Sequence, residues 1–490
     1  MFPMSPNVAT CKKIKGAKTR SIEIEQMPWK HSMDPQGIVF LAEGRLYRAI
    51  HPHAESHVKS LFTSGLIEAL NRANLIPRTT ISDRHVDGMS NLVLEHETIS
   101  PVVYQNEWCF EMLRRAALVT LDVNSIARKY GYQTHDAHCY NILFDGVTPK
   151  FVDLTSLIPI HNSPRRPGWK PYGEFMQNFY YPLRLWSSGA EPEARRSLID
   201  GGISPLSWRM LSSRLHCRAT ANLEQALYRA YFAWKGINTV DEHSIRNHLC
   251  QSARRRRWAE FLIRRIQHNQ APFSSVSLDR LRTKVERIAA PCVKSFWMDY
   301  HKQTVLDHRF QRLVDLLKTH QVRTITDIGG NAGFFCRAAV EHGAAEEAIC
   351  IDYDSNAINS LYNRLVEGGN NRVHPVVMNF RENQTSTLFR PAHERLASDA
   401  VIALALTHHL HISQGLSLDY IFSRLLSFGR RLIFVEHMPQ GHYSSKFEDH
   451  PQPPESYSRE RFRNALAKQC EILHEEELAR NRTLFIGRKK

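Results

Sequence analysis

The stretch "TITDIGGNAGFFCRAAV", Thr324 to Val340, constrains the fold more than any other. Five β-prone residues run into a glycine-rich turn, and an apolar helical pattern begins near Phe334. Gly329 and Gly333 permit a tight turn and close backbone approach to a ligand. From about residue 286 to the end, strand and helix patterns alternate, which predicts a doubly wound α/β domain. The expected strands after "TITDI" are "AICIDYD", "VHPVVMNF", "DAVIALALTHHL" and "RLIFVEHMP". "CEILHEEELARNRTLFIGRK" reads as a closing antiparallel pair. In an open α/β sheet, ligands bind at the carboxyl ends of the strands. Polar residues stand at those ends in succession: Asp327, Asp352, Asn379 with Phe380, His408 with His409, and Glu436.

The turn discriminates between ligands. A dinucleotide site needs G-x-G-x-x-G, and Gly329-Gly330-Asn331-Ala332-Gly333 does not supply it. Asp327, just before the first glycine, suits a ligand with a positive amino group. Asp352 comes about twenty residues after the turn and can accept hydrogen bonds from both ribose hydroxyls. An amide such as Asn379 can read an adenine edge, and the Phe380 ring can pack on its face. A histidine titrates near neutrality, so His408 or His409 suits removal of an acceptor proton. Glu436 is a further residue expected to meet the acceptor. Helix capping or strand-end solvation is the bland alternative for the two aspartates, and packing against the sheet for the histidines.

The pattern Asp327-x-Gly329-x-Asn331-x-Gly333 resembles that of class I S-adenosylmethionine (SAM) methyltransferases. The chain is most similar to a bacterial group with a long N-terminal extension, which includes the nodulation protein NoeA. The resemblance covers roughly residues 37–490. It rests on "EWCFEMLRRAALVTL", "DAHCYNILFDGVTPKFVDLTS", "SFWMDY", "DIGGNAGFF", "ALALTHHL" and "RTLFIG". It implies a Rossmann-like domain with a seven-stranded mixed sheet over 286–490, and SAM as cofactor. Asp327, Gly329, Asn331 and Gly333 would cradle the methionine portion, Asp352 the ribose, and Asn379 and Phe380 the adenine. The methyl acceptor is not identified; an acidic molecule or a glycan fits the charge.

The N-terminal half carries a different signal. A basic tail is expected over 1–36, disordered and without the apolar region of a secretory signal. "GIVFLAEGRLYRAIH" predicts a hairpin turning at Glu43-Gly44, and "LVLEHETI" another strand. "HVKSLFTSGLIEALNRANL" has helical spacing, with Leu61, Leu66 and Leu70 on one side. A long helix follows, with Trp108, Met112, Ala116 and Val119 on one face and Gly131 as its stop. Asp136, Asn141 and Asp153 then match the spacing of a kinase catalytic loop and its metal-binding aspartate. The departures are a Thr134 before His135-Asp136, "LTS" after Asp153, no glycine-rich phosphate cover, and an arginine where a phosphate-holding lysine would stand. Residues 37–171 thus read as an α+β kinase-like lobe, 161–170 as a loop, and 172–285 as a helical segment interrupted at Pro192 and Pro205. A phosphotransferase is the competing function.

A chain of 490 residues calls for two or three domains. No apolar run is long enough to cross a bilayer. Nine cysteines without a CxxC pair argue against a disulfide framework or zinc site and for a cytoplasmic setting. Cys336 and Cys350 read as small core residues. The formal net charge of +15 favours acidic partners. For Arg254 to Arg257 a solvated helix face is the simpler reading than a nucleic-acid contact, since no recognised module surrounds it.

Overall fold

The computed structural model describes residues 20–24, 34–160, 169, 171–205, 207–208, 211, 277–291, 306–381, 390–441 and 452–490. The Arg254–Arg257 run, the "SFWMDY" stretch and residues 161–168 lie outside the described residues. The chain divides into two compact units, Met1–Thr98 and Ile99–Lys490. The division falls inside the expected 37–171 lobe, so Asp136, Asn141 and Asp153 share a unit with the C-terminal sheet.

The first unit is built on an antiparallel four-stranded sheet. Its hairpin pairs Gly37–Ala42 with Arg45–Ile50, and Leu92–His96 and Thr79–Ile81 follow across the sheet. Glu43 and Gly44 make the turn at φ 50° and 71°, a left-handed pair that matches the strand twist. The Leu61-to-Leu70 stretch is two helices, Glu55–Thr63 and Leu66–Arg72, because Gly65 between them takes φ 83°. All three leucines are buried nonetheless. The expected tail is also corrected: Arg20–Ser21 pairs in parallel with Arg84–His85, and Ile22 is buried with Phe40, Tyr47 and Val93. Ile24 packs against the same cluster, so two apolar side chains dock this segment.

The second unit centres on a seven-stranded sheet. Its strands are β1 (Thr324–Ile328), β2 (Glu347–Asp352), β3 (Val373–Val377), β4 (Ser398–Ala403), β5 (Gly429–His437), β6 (Cys470–Ala479) and β7 (Arg482–Lys489). The order is β3-β2-β1-β4-β5-β7-β6. The first five are parallel, and β7 runs antiparallel to both β5 and β6. This is the mixed seven-stranded sheet that the sequence predicts. The chain order reverses between β1 and β4, and β1 lies in the middle of the parallel strands, where a crevice opens at the carboxyl edge. Strands β1 to β5 are buried almost throughout, as central strands covered on both faces must be.

Two expected strand ends move inward. β3 stops at Val377, before Asn379 and Phe380. β4 stops at Ala403; Ala405 takes φ 48°, and the chain then turns helically at His409–Ser413. His408 and His409 therefore sit on a turn beyond the strand rather than on it.

Helix α1 (Phe110–Lys129) ends before Gly131, which takes φ 82°. Its buried face includes Met112, Ala116 and Val119, and Trp108 is buried just before the helix begins. The strands Ile142–Asp145 and Thr148–Phe151 pair as expected. Pro192 does not interrupt a helix; it occupies the first turn of Glu191–Ile199, where a missing N–H is harmless. Residues 99–205 dock on the sheet's β3 side through α4 (Ser355–Glu367). The Tyr362 hydroxyl donates to the Val147 carbonyl at 2.8 Å, and Asn359 Oδ1 accepts from the Glu111 N–H at 2.8 Å. Arg395 and Glu107 form an ion pair at 2.5 Å, 5% and 2% exposed, above the Tyr104 ring. A pair this buried joins the two parts because either group alone would be a stranded charge.

Candidate cofactor site at the carboxyl edge

Asp327 occupies the last turnable position of β1 and is 3% exposed. Its one hydrogen-bond partner among the described residues is the Cys336 thiol, which donates to Oδ2 at 3.6 Å. Burial pushes this carboxyl up to about 7, and the negative charges of Asp352 and Glu436 push the same way. A buried carboxylate served by one weak thiol donor is a poor resident unless a cation joins it.

The turn after Asp327 is held open by glycine. Gly329 and Gly333 adopt φ 78° and 66°. A Cβ on Gly330 would lie 2.7 Å from Cys350 Sγ and 2.9 Å from Asp327 Oδ2. One on Gly333 would lie 2.6 Å from Leu361. Cys336 and Cys350 are fully buried beneath this turn, as expected for small core residues. Gly333 leads into α3 (Phe334–Glu341).

Asp352 ends β2 and braces the same turn. Its Oδ2 accepts from the Asn331 N–H at 2.8 Å and its Oδ1 from the Asp354 N–H at 2.9 Å. The Tyr353 N–H donates to the same carboxylate, and Asp352 is 8% exposed. Burial raises its pKa. Asn331 itself is strained at φ 50°, and its side-chain oxygen accepts from the Ala332 N–H at 2.6 Å. Asp354 is a neighbour that sequence reasoning missed. It caps α4 through Oδ1, while Oδ2 is buried without a hydrogen-bond partner. The D-x-D-S spacing before a helical run was the available signal.

The remaining candidates divide. Asn379 is exposed, and its Oδ1 accepts from the Arg381 N–H at 3.1 Å. Phe380 is 7% exposed, so its ring is packed inward. His408 is buried and His409 half-buried, with ring centroids 4.0 Å apart. Glu436, on β5, is 0% exposed and ion-paired twice: Arg309 Nη1 lies 3.0 Å from Oε1, and Arg482 Nη1 lies 2.7 Å from Oε2. Oε2 also accepts from the Ala405 N–H at 3.0 Å. Glu436 thus holds the segment leading from β4 to the two histidines. Arg309 comes from α2 (His308–Thr319), and Arg482 opens β7 as the first residue of the "RTLFIG" motif, whose pattern gave it no role toward Glu436.

The kinase-like residues make local contacts. Asp136 Oδ1 lies 2.7 Å from His135 Nδ1, and Asp153 Oδ1 accepts from the Thr155 hydroxyl at 2.7 Å. Asn141 is buried; its carbonyl accepts from the Val152 N–H, and its Nδ2 has no hydrogen-bond partner in the described residues. Among the described residues no group of three or more His, Cys, Asp or Glu is placed to hold a metal ion. No described helix is long and apolar enough to cross a membrane.

Comparison with known proteins gives one similar curated relative and several weakly similar folds. No family model matches the chain. The chain is 26% identical over 405 residues to nodulation protein NoeA of Rhizobium meliloti (strain 1021), covering 79% of each. Among solved structures it is similar to the methyltransferase domain of bacterial CtHen1-C, at 14% identity and a TM-score of 0.28, over 37% of this chain and 96% of that one. It is also similar to the N-methyltransferase NodS from Bradyrhizobium japonicum WM9, at 12% identity and a TM-score of 0.27, over 38% and 99%. Likeness at that level assigns no activity to this chain.

Proposed function

We propose that the protein is a SAM-dependent methyltransferase, with its cofactor at the carboxyl edge of β1 and β2. The observation that carries this reading is Asp327: a buried carboxylate, next to a glycine turn with no room for side chains, whose one hydrogen-bond partner among the described residues is a thiol. The α-ammonium of SAM is a cation of the right size and charge for it. When bound, SAM supplies an activated methyl group on a sulfonium.

The chain's own residues have distinct tasks in this reading. Asp327 receives the ammonium, and Gly329, Asn331 and Gly333 let backbone approach the methionine portion. Asp352 accepts from the ribose hydroxyls, its carboxylate held by the Asn331, Tyr353 and Asp354 N–H groups. Asn379 and Phe380 border the adenine. His408 or His409 accepts the acceptor's proton where that acceptor is a hydroxyl. Glu436, tied to two arginines and the Ala405 N–H, positions the histidine segment rather than moving a proton. Alignment and exclusion of water are the enzyme's main contributions to an in-line transfer. Similarity to NoeA supports a role related to nodulation.

The phosphotransferase reading of Asp136, Asn141 and Asp153 is not favoured, since the two aspartates are engaged with His135 and Thr155. The test is calorimetry of SAM and of its demethylated product with the full chain. Submillimolar binding that Asp327→Asn abolishes supports the proposal; unchanged affinity in that variant overturns the assignment of the ammonium.

A further inference from the structure

A second polar cleft lies at the opposite edge of the same sheet. It is about 440 Å³ in volume and is lined by His320, Arg430, Arg431, Arg488 and Lys489, among others. The residues come from three elements: the C-terminal end of α2, the start of β5 and the end of β7. β5 enters the sheet here, whereas Asp327 and Asp352 mark the ends where their strands leave it.

The cleft's charge is not neutralised from within. Arg430 makes no hydrogen bond or ion pair among the described residues. Arg431 reaches only the His320 carbonyl, at 3.5 Å. Arg488 meets one carboxylate, Glu471, at 3.4 Å, and both are exposed. Lys489 donates to the Leu426 and Gly429 carbonyls, which fixes its ammonium without cancelling its charge. Other arginines of this half are matched with carboxylates: Arg312 with Glu476, Arg323 with Glu346, and Arg459 and Arg463 with Glu475. His320 lines the cleft beside these cations. Burial lowers its pKa first, and His474, Arg488 and Arg431 each add to that lowering. The potential in the cleft is therefore positive at the ring as well as at the guanidiniums. Guanidiniums that line a concave site and are only partly neutralised suit the planar, multidentate geometry of a phosphate group.

We propose that this cleft is a binding site for a phosphate-type oxyanion, either free or carried as a phosphoryl group on a larger molecule. Arg430 and Arg431 are its principal donors, with Arg488 and His320 at the sides. Being at the far edge of the sheet, it is filled independently of the cofactor site.

The test uses the full chain and two probes in titration calorimetry. Inorganic pyrophosphate reports the free anion, and glucose 1-phosphate reports the same group on a larger body. We expect saturable binding of at least one probe, weakening with added salt. Arg430→Gln combined with Arg431→Gln should weaken it at least tenfold. Arg364→Gln combined with Arg372→Gln removes the same charge outside the cleft and should leave affinity within twofold. Asp327→Asn should also leave it unchanged, which separates this site from the proposed cofactor site. Circular dichroism of both double variants checks that they fold alike. Absence of saturable binding by either probe, or equal loss in both double variants, overturns the proposal. Preference for pyrophosphate identifies a free anion as ligand, and preference for glucose 1-phosphate a carried one.

Discussion

Replacing Asp327 with asparagine should make the ligand-free protein more stable while destroying its affinity for SAM. The carboxyl is held at about 7 in the folded chain against an ordinary value of 3.8. A folded-state pKa above the unfolded value means that the native state binds more protons between those two pH values. Stability therefore falls as pH rises from about 4 to about 7, and stays low above that. The full difference corresponds to roughly 4 kcal/mol. Asparagine keeps the shape and removes the charge, at the loss of a thiol hydrogen bond worth about 1 kcal/mol. At pH 8 the variant should thus be more stable than wild type by roughly 1–3 kcal/mol. The stability difference, wild type minus variant, should fall by about 2.5 kcal/mol between pH 5 and pH 8. Urea titration of both proteins at each pH, followed by tryptophan fluorescence, measures it. Calorimetry adds the opposite sign for the ligand: wild-type SAM affinity should decline about tenfold for each pH step below 7, as Asp327 takes up its proton. A variant less stable than wild type at pH 8, or parallel pH profiles, would refute the claim that Asp327 is an uncompensated buried acid.

Other changes probe the surrounding parts. Glu436→Gln leaves Arg309 and Arg482 without their carboxylate, so it should destabilise the fold by about 3–5 kcal/mol in denaturant titration. His408→Ala and His409→Ala, made separately, should show a loss of roughly a hundredfold or more in methyl transfer to a hydroxyl acceptor for whichever histidine takes the proton. SAM binding measured alongside should be unaffected. Gly333→Ala forces a Cβ to within 2.6 Å of Leu361 at a positive φ, and calorimetry should show SAM binding weakened along with a lower unfolding temperature. Asp136→Asn and Asp153→Asn should leave methyl transfer intact, and the wild-type protein should show no magnesium-dependent ATP turnover for either substitution to abolish.

Sequence patterning exposed the C-terminal sheet well because its information is local. A run such as "TITDI" followed by glycines and an apolar helix needs no partner to be recognised, and the observed β1 bounds match the expected Thr324 to Ile328. The Glu43-Gly44 turn was legible for the same reason. What escaped was set by contacts distant in the chain. Nothing around Arg309 or Arg482 announces that both meet Glu436, so the glutamate looked like a group free to face an acceptor. β4 looked longer than it is because the apolar run "VIALAL" continues past its end, and only Ala405 at φ 48° marks the bend. The 20–24 segment seemed to belong to a tail because a basic composition hides its two docking residues, Ile22 and Ile24. Asn379 and Phe380 were placed on a strand that ends two residues earlier, which changes what their side chains meet.

The kinase-like spacing has a physical explanation that needs no phosphoryl transfer. Residues 136–153 connect α1 to a hairpin, and that hairpin is part of the surface that meets α4. Gly146 at its tip takes φ 59°, and a Cβ there would lie 2.5 Å from the Asn371 carbonyl, just before β3. The Phe144 ring meets Trp108 on one side and Tyr362 on the other, both edge-on. Arg195 adds a third tie, donating to the Asn106 and Trp108 carbonyls and to the Val377 carbonyl at the end of β3. The hairpin, α1 and the Glu191–Ile199 helix therefore cover the edge of the sheet beside β3, the strand whose end borders the proposed adenine position. In a loop with this task, Asp153 sets a tight turn through Thr155, and Asn141 carries the backbone hydrogen bond that closes the hairpin. The turn at Asp153 favours a short polar side chain, whereas the Asn141 bond is made by backbone that any residue supplies. Spacing alone cannot separate the two tasks; the contacts of Phe144, Gly146 and Tyr362 favour the structural one.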